Sequence, residues 1–238
     1  MTPSERVAIG VDVTGGKRPM TIAVLDQQLQ VVTLKNLPLD DLIAEVLRYE
    51  LADCAIDAPS RPNPGLLTDG ERRRQWALAP ASTRYSTYRI CEYELRRRGI
   101  GIYNTPLDPA KIKGWMQRGW DLYRALHQGG FVPYPSEGSM WTVEVFPHAC
   151  FTTLLGAKPL HKATKGGLEQ RQTLLRALGM TIAAVDSLEA VLTHDELDAL
   201  VAAYTAYLLR ARPEDACAVG SPDDGQIVLP VPTLADRY

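Results

Sequence analysis

Cysteine is scarce and scattered in this chain. Cys54, Cys91, Cys150 and Cys217 are the whole set, and they make no CxxC pair and no Cys/His ligand spacing. That argues against a disulfide framework and against a zinc site, and leaves small buried hydrophobes in a reducing compartment as the expected role. No apolar run approaches the roughly 18 residues that a membrane span needs. The opening MTPSERVAIGVDV has no basic segment followed by a long apolar one, so no signal peptide is expected and the expected location is the cytoplasm. Excess charge is also missing: a net charge of −2 gives no global basic field for nucleic acid, and local clusters must carry any such argument. Internal repeats and low-complexity tracts are absent as well. At 238 residues the chain is read as one domain, 1–238, with an insertion around 59–130. A chain of this length buries well over half of its unfolded surface and folds without a staple.

Strand and helix periodicities alternate. Val7 to Val13 is a Val/Ile-rich run that ends at Thr14-Gly15-Gly16, as a strand buried on both faces does. Thr21 to Asp26 and Leu29 to Leu34 read as a hairpin. Leu39, Leu42, Ile43, Val46 and Leu47 follow Pro38 at helical spacing, and Cys54 to Asp57 is another short strand. Residues 60–81 are proline-rich, and the stretch 59–88 is expected to control access to a site. Helices are expected over 89–98, 109–126 and 168–178, with a strand at 141–146 stopped by Pro147. The clearest helix is 194–209. Leu197, Leu200, Val201, Tyr204 and Leu208 form its stripe, Ala199, Ala202, Ala203 and Ala206 keep its flank small, and Thr193 with Glu196 makes a capping box. Gln226 to Val231 reads as an edge strand between prolines.

Acidic residues sit where strands end or helices begin. Asp12 lies in an apolar strand, where an unpaired charge is expensive. Asp57 ends a second apolar strand. If the two strands are parallel neighbours, both carboxylates emerge at the carboxyl edge, where open α/β sheets bind ligands. Glu144 lies in a third strand. Asp195 and Asp198 share one face at the start of the last helix, where the macrodipole tolerates negative charge. Such a convergence calls for a cation, and Mg²⁺ or Mn²⁺ suit hard carboxylate oxygens. Each acid also has a structural reading. Asp12 could bond the glycine turn, Asp57 could form a strand-end turn, Glu144 could pair with an arginine such as Arg89, Asp195 could be only a helix-start acid, and Asp198 could be solvated, although it sits beside the buried stripe.

Basic and aromatic residues supply candidate substrate contacts. Arg89, Glu92 and Arg96 share a helix face, with Arg97, Arg98 and Arg72 to Arg74 near in sequence; the alternative is a solvated face of local ion pairs. Lys17 and Arg18 follow the glycine turn. Lys158, Lys162 and Lys165 form a loop patch. Tyr103, Trp115, Trp120 and Tyr123 are candidates for base stacking or for core. His148 follows Pro147 at the same edge as an acid–base or substrate-binding candidate, and His194 is placed to pair with Asp198.

The segments GVDVTGGKRPMTIAVLD, AIDAPS, RICEYELRRRGIGIYNTP, VEVFPHACFTTLLG, GLEQRQTLL and HDELDALVAAYTAYL occur in that order. The pattern is similar to the RNase H-like superfamily, near Holliday-junction resolvases of the RuvC type. More specifically it resembles the DUF429 family of predicted RNase H-like nucleases. The resemblance implies a three-layer α/β/α domain whose five-stranded mixed sheet has order 3-2-1-4-5, with strand two antiparallel and helical insertions. It implies a Mg²⁺ or Mn²⁺ site, with Asp12, Asp57 and Asp198 as ligands and Asp195 and Glu144 as second candidates. Asp57 departs from the family pattern, which has Glu there, and a shorter side chain would shift or loosen a metal. The leading expectation is a metal-dependent nuclease of DNA or RNA. The alternatives are an inactive RNase H-like scaffold binding nucleic acid or protein, and a small actin-like ATPase or phosphotransferase. The oligomeric state is open, with a homodimer as one option.

Overall fold

The computed structural model describes residues 5–78, 81, 83–182 and 191–238. Strands β1 (Val7–Asp12), β2 (Met20–Leu25) and β3 (Val31–Leu37) lead into helix α1 (Leu39–Leu47) and strand β4 (Ala52–Asp57). Helices α2 (Gly70–Gln75), α3 (Ile90–Arg97) and α4 (Gly114–Gln128) follow, then strands β5 (Val132–Pro133) and β6 (Trp141–Val145). Helices α5 (Pro147–Leu155), α6 (Lys165–Ala177) and α7 (His194–Ala211) precede strands β7 (Cys217–Ser221) and β8 (Gly225–Leu229).

The protein is a mixed α/β structure. Its sheet has eight strands among the described residues rather than five, in the order β3-β2-β1-β4-β6-β8-β7, with β5 beside β6. β2 runs antiparallel to β1 and β3, whereas β1, β4, β6 and β8 are parallel. The 226–231 segment is not an edge strand. β8 is flanked by β6, and β7 closes the sheet antiparallel to it. Pro147 does more than stop β6: it occupies the first turn of α5, where its missing N–H costs nothing. The stretch expected as one helix over 109–126 is a short 3₁₀ turn at Pro109–Lys111 followed by α4. Gly119 is tolerated inside α4 because the helix presses on Ala58 there, leaving no room for a Cβ.

Helices cover both faces of the sheet. Ile9, Val11, Ile22 and Ile56 pack with Leu42 and Val46 of α1 and with Leu122 and Leu126 of α4. On the opposite face, Ala8, Ala23 and Ala55 pack with the alanine-rich flank of α7 and with α3, α5 and α6. Small residues on both partners let α7 lie close on β1. A Cβ at Gly10 would collide with the Ala199 carbonyl and the Ala203 amide. Side chains alternate along a strand, so Asp12 shares the Ala8–Gly10 face. The helix turn N-terminal to Ala199 therefore lies over Asp12. This close packing positions the site.

Within 59–88, Leu67 packs with Ile90 and Tyr93 of α3 and with Trp76, Leu78, Tyr85 and Tyr88 in a small separate cluster. Residues 79, 80 and 82 of that stretch lie outside the described residues. No described helix is long and apolar enough to cross a membrane.

Candidate functional site

Parallel pairing of β1 with β4 puts Asp12 directly beside Asp57 in register. α7 brings Asp195 and Asp198 down onto the same edge, with its N-terminus fixed by the Thr193/Glu196 capping box. Asp12, Asp57 and Asp195 line one cavity of about 430 Å³, together with Arg18, Trp115, Lys162 and His194. A second cavity of about 390 Å³ shares Asp57, Tyr103 and Lys162 with the first, and adds Asp198, Arg96, His148 and Arg171. The two are lobes of one cleft at the carboxyl ends of β1, β4 and β6.

The acids strain one another. Burial pushes the Asp12 carboxyl up to about 8; the charges of Asp198 and Asp195 and a hydrogen bond with Asp195 add to this, while Lys162 opposes it. Asp57 is raised well above the carboxylate range by burial and by the charges of Asp12 and Asp198. Asp198 is also raised by burial, with Lys162, Arg171 and His194 pulling the other way. Lys162 Nζ donates to Asp198 Oδ2 at 3.3 Å and supplies the one lysine charge set against this group among the described residues. Its position, reaching from the coil before α6, was legible in sequence only as part of a loop patch.

Among the described residues, the glycine turn bonds within itself and to Arg118, not to Asp12. Thr14 Oγ1 donates to Pro19 O at 2.8 Å, and Arg118 Nη1 donates to Thr14 O at 2.9 Å and to Arg18 O at 2.8 Å. Arg18 lines the cavity, and Lys17 is exposed in the same turn. His194 Nε2 pairs with Asp195 Oδ1 at 2.9 Å rather than with Asp198.

Glu144 faces the cleft but is committed to a buried network. Arg89 donates through Nη1 to Glu144 Oε2 at 3.0 Å and through Nε to Glu92 Oε1 at 2.9 Å, and it also reaches Glu144 Oε1 through Nη2. Ser60 N donates to Glu144 Oε2 at 2.7 Å. Arg89 and Glu92 are each 1% exposed. Their charges are engaged with each other and with Glu144, and both residues line the first cavity beside it. Asp224 was not anticipated. It is fully buried, its Oδ2 accepts from Ile90 N at 2.7 Å, and its Oδ1 has no partner among the described residues. A turn aspartate gives no sign of this in sequence.

The second lobe is cationic. Arg96 is exposed, His148 is half-buried, and Arg171 is anchored by donating to Leu160 O at 3.0 Å and Gly167 O at 2.7 Å. Burial, followed by the charges of Arg171, Lys158 and Lys162, lowers the His148 pKa, so the ring is neutral at pH 7. Positive charge therefore accumulates beside the acids, in a lobe open to an anion.

As the side chains stand, no three His, Cys, Asp or Glu residues form a metal-ligating group among the described residues. Lys162 sits on Asp198 instead.

Comparison with known families matches the model described as "Protein of unknown function (DUF429)" over residues 10–224. The chain belongs to the DUF429 family. The match runs from the residue before Val11-Asp12 to Asp224, so Asp12, Asp57, Asp195 and Asp198 of this DUF429 chain all lie inside it. No curated protein and no solved structure matches the chain.

Proposed function

We propose that this DUF429 protein is a divalent-metal-dependent phosphodiester hydrolase of nucleic acid, built on an RNase H-like fold. The observation that carries the reading is the pairing of Asp12 with Asp57 on parallel strands, with Asp195 and Asp198 brought over them by α7. The order β3-β2-β1-β4-β6, with β2 alone antiparallel among those five, supports the fold assignment.

The donor set suits Mg²⁺ or Mn²⁺ by its chemistry. It consists of carboxylate oxygens only, and burial, with the charges of Asp198 and Asp195 added, pushes Asp12 up to about 8. Asp12, Asp57 and Asp198 are the proposed holders, with Asp195 beside them, after Lys162 moves off Asp198. When bound, a divalent ion supplies Lewis acidity at the phosphate and makes water a competent nucleophile near neutral pH. The chain's own residues supply the rest. Lys162, freed from Asp198, and Arg96 and Arg171 neutralise the substrate phosphate in the cationic lobe. Neutral His148 is available there to hold or pass a proton. Arg89 and Glu92 hold Glu144 in the cleft wall.

The test is cleavage of labelled single- and double-stranded DNA and RNA by the purified chain with Mn²⁺ or Mg²⁺. Cutting should require the metal, stop with EDTA and fall to background in Asp12→Asn. Cutting that survives both treatments overturns the reading.

A further inference from the structure

Four aromatic residues stood as candidates for base stacking, and the fold separates them. Tyr123 is 3% exposed, and its hydroxyl donates to Ala58 O and Val143 O at 3.3 Å each, so it is core. Trp120 lines a separate surface hollow with Arg61 and Pro62. Trp115 is half-buried in the wall of the acidic lobe. Tyr103 differs from all three: it is 84% exposed and lines both lobes of the cleft.

That exposure is held in place by the fold. The segment leaving α3 is tied down on both sides of Tyr103. Ile100 is buried and its amide donates to Leu95 O at 3.1 Å. Thr105 is fully buried, and its amide and hydroxyl donate to Glu92 Oε1 at 2.9 and 2.6 Å. Glu92 is in turn fixed by Arg89, which is fixed to Glu144. The buried ion network in the cleft wall therefore anchors the strap that presents Tyr103. Leaving a tyrosine ring in water on a fixed strap forgoes its burial, and a ligand with a flat apolar face would recover it.

We infer that Tyr103 is a stacking platform for an unpaired base, and that the substrate class is single-stranded nucleic acid rather than duplex. The inference rests on the nuclease reading for the chemistry but stands on its own geometry. A base in a duplex has both faces covered by its neighbours, whereas an unpaired base offers a face to an aromatic ring. Tyr103 lines both lobes: Arg96 and Arg171 line the second, Asp12 and Asp195 the first, and Asp57 and Lys162 both. A strand crossing it would thus place one phosphate near Arg96 and Arg171 and another near Asp12 and Asp57. Cavities of about 430 and 390 Å³ are of a size that takes small ligands, and so accommodate about one nucleotide each.

The experiment measures fluorescence-anisotropy binding of a labelled twelve-residue oligothymidylate, a blunt duplex of equal length, and thymidine monophosphate as competitor. It is done with Mn²⁺ in the Asp12→Asn background so that nothing is cut. The single strand should bind at least about tenfold tighter than the duplex, with millimolar monophosphate competing poorly. Tyr103→Ala should lose about 5- to 150-fold in single-strand affinity, as removal of one base–aromatic stack does. Tyr103→Trp should retain it, and duplex binding should stay within about twofold. Unchanged melting temperature in Tyr103→Ala separates loss of stacking from loss of fold. Equal duplex affinity, an unaffected Tyr103→Ala, or a monophosphate that binds as tightly as the oligomer overturns the inference. The two proposals fail separately. Tyr103-dependent strand binding in a chain that never cuts retires the nuclease reading alone, and metal-dependent cutting that is indifferent to Tyr103 retires this one alone.

Discussion

At Asp12, burial and neighbouring charge act in the same direction. The folded chain holds a proton there up to about pH 8, while an unfolded aspartate releases it near its ordinary value of 3.8. Between those limits the folded state binds more protons than the unfolded one. Stability without metal therefore falls as pH rises through that window and levels off above it. Asp57 and Asp198 are shifted the same way and steepen the fall. Asp12→Asn removes one share of it. Melting temperatures measured in EDTA from pH 4 to pH 8 should decline less in the variant than in the parent, and at pH 8 the variant should be at least as stable. Identical slopes would show that Asp12 is not under charge strain. The Arg89 group shows the opposite arrangement: a guanidinium 1% exposed is matched by two carboxylates and contributes structure instead of tension.

At the scale of elements, the site depends on how closely α7 lies on β1. Gly10 is the contact point, since a Cβ there meets helix backbone, which cannot rotate aside. Gly10→Ala should destabilise by at least the upper end of the ~1–3 kcal/mol usual for overpacking, measured by urea denaturation. It should also lift Asp195 and Asp198 from Asp12, so the pH dependence above should weaken with it. A neutral Gly10→Ala would mean that α7 does not rest on that strand as described. Much of this element pair was legible in sequence. The capping box, the apolar stripe and the alanine flank mark α7, and an acid in a Val/Ile run marks β1. Other parts were not legible, for physical reasons. The Arg89–Glu144 pair stood in sequence as one reading of Glu144, but the addition of Ser60, Glu92 and Thr105 to it depends on tertiary placement. Lys162 comes from coil, where no periodicity fixes a direction. β7 contains Gly220, whose φ of 108° and contact with Cys91 break any strand-like alternation. Prolines near β8 suggested an edge, but the chain turns back at Asp224-Gly225 and covers it.

Across the whole molecule, α7 joins two ends that are balanced differently. At its C-terminal end, Arg210 Nε donates to the buried Asp53 Oδ2 at 2.9 Å, Arg6 Nη1 does so at 3.0 Å, and Trp141 N donates to Oδ1 at 2.8 Å. That carboxylate has its charge matched and its oxygens satisfied, so it stabilises the amino edge of the sheet. At the N-terminal end, Asp195 and Asp198 meet Asp12 and Asp57, and Lys162, with Arg171 and His194 acting on Asp198, compensates them only in part. The fold is tight at one edge and held under electrostatic tension at the other, where a cation would relieve it. Mass action then sets the expected size: an ion at a hundred times its dissociation constant adds about 2.7 kcal/mol. In a chain of this length that corresponds to a rise in melting temperature of about 5–10 °C. The rise should be small at pH 5, where protons already neutralise the acids, and large at pH 8. Asp53→Asn should lower the melting temperature at every pH yet leave the Mn²⁺ increment intact, because it disturbs the matched end only. Asp12→Asn combined with Asp57→Asn should do the reverse, raising the metal-free melting temperature at pH 8 and abolishing the increment. A Mn²⁺ increment that ignores pH, or that survives the double change, would place the cation elsewhere and detach the acidic edge from metal chemistry.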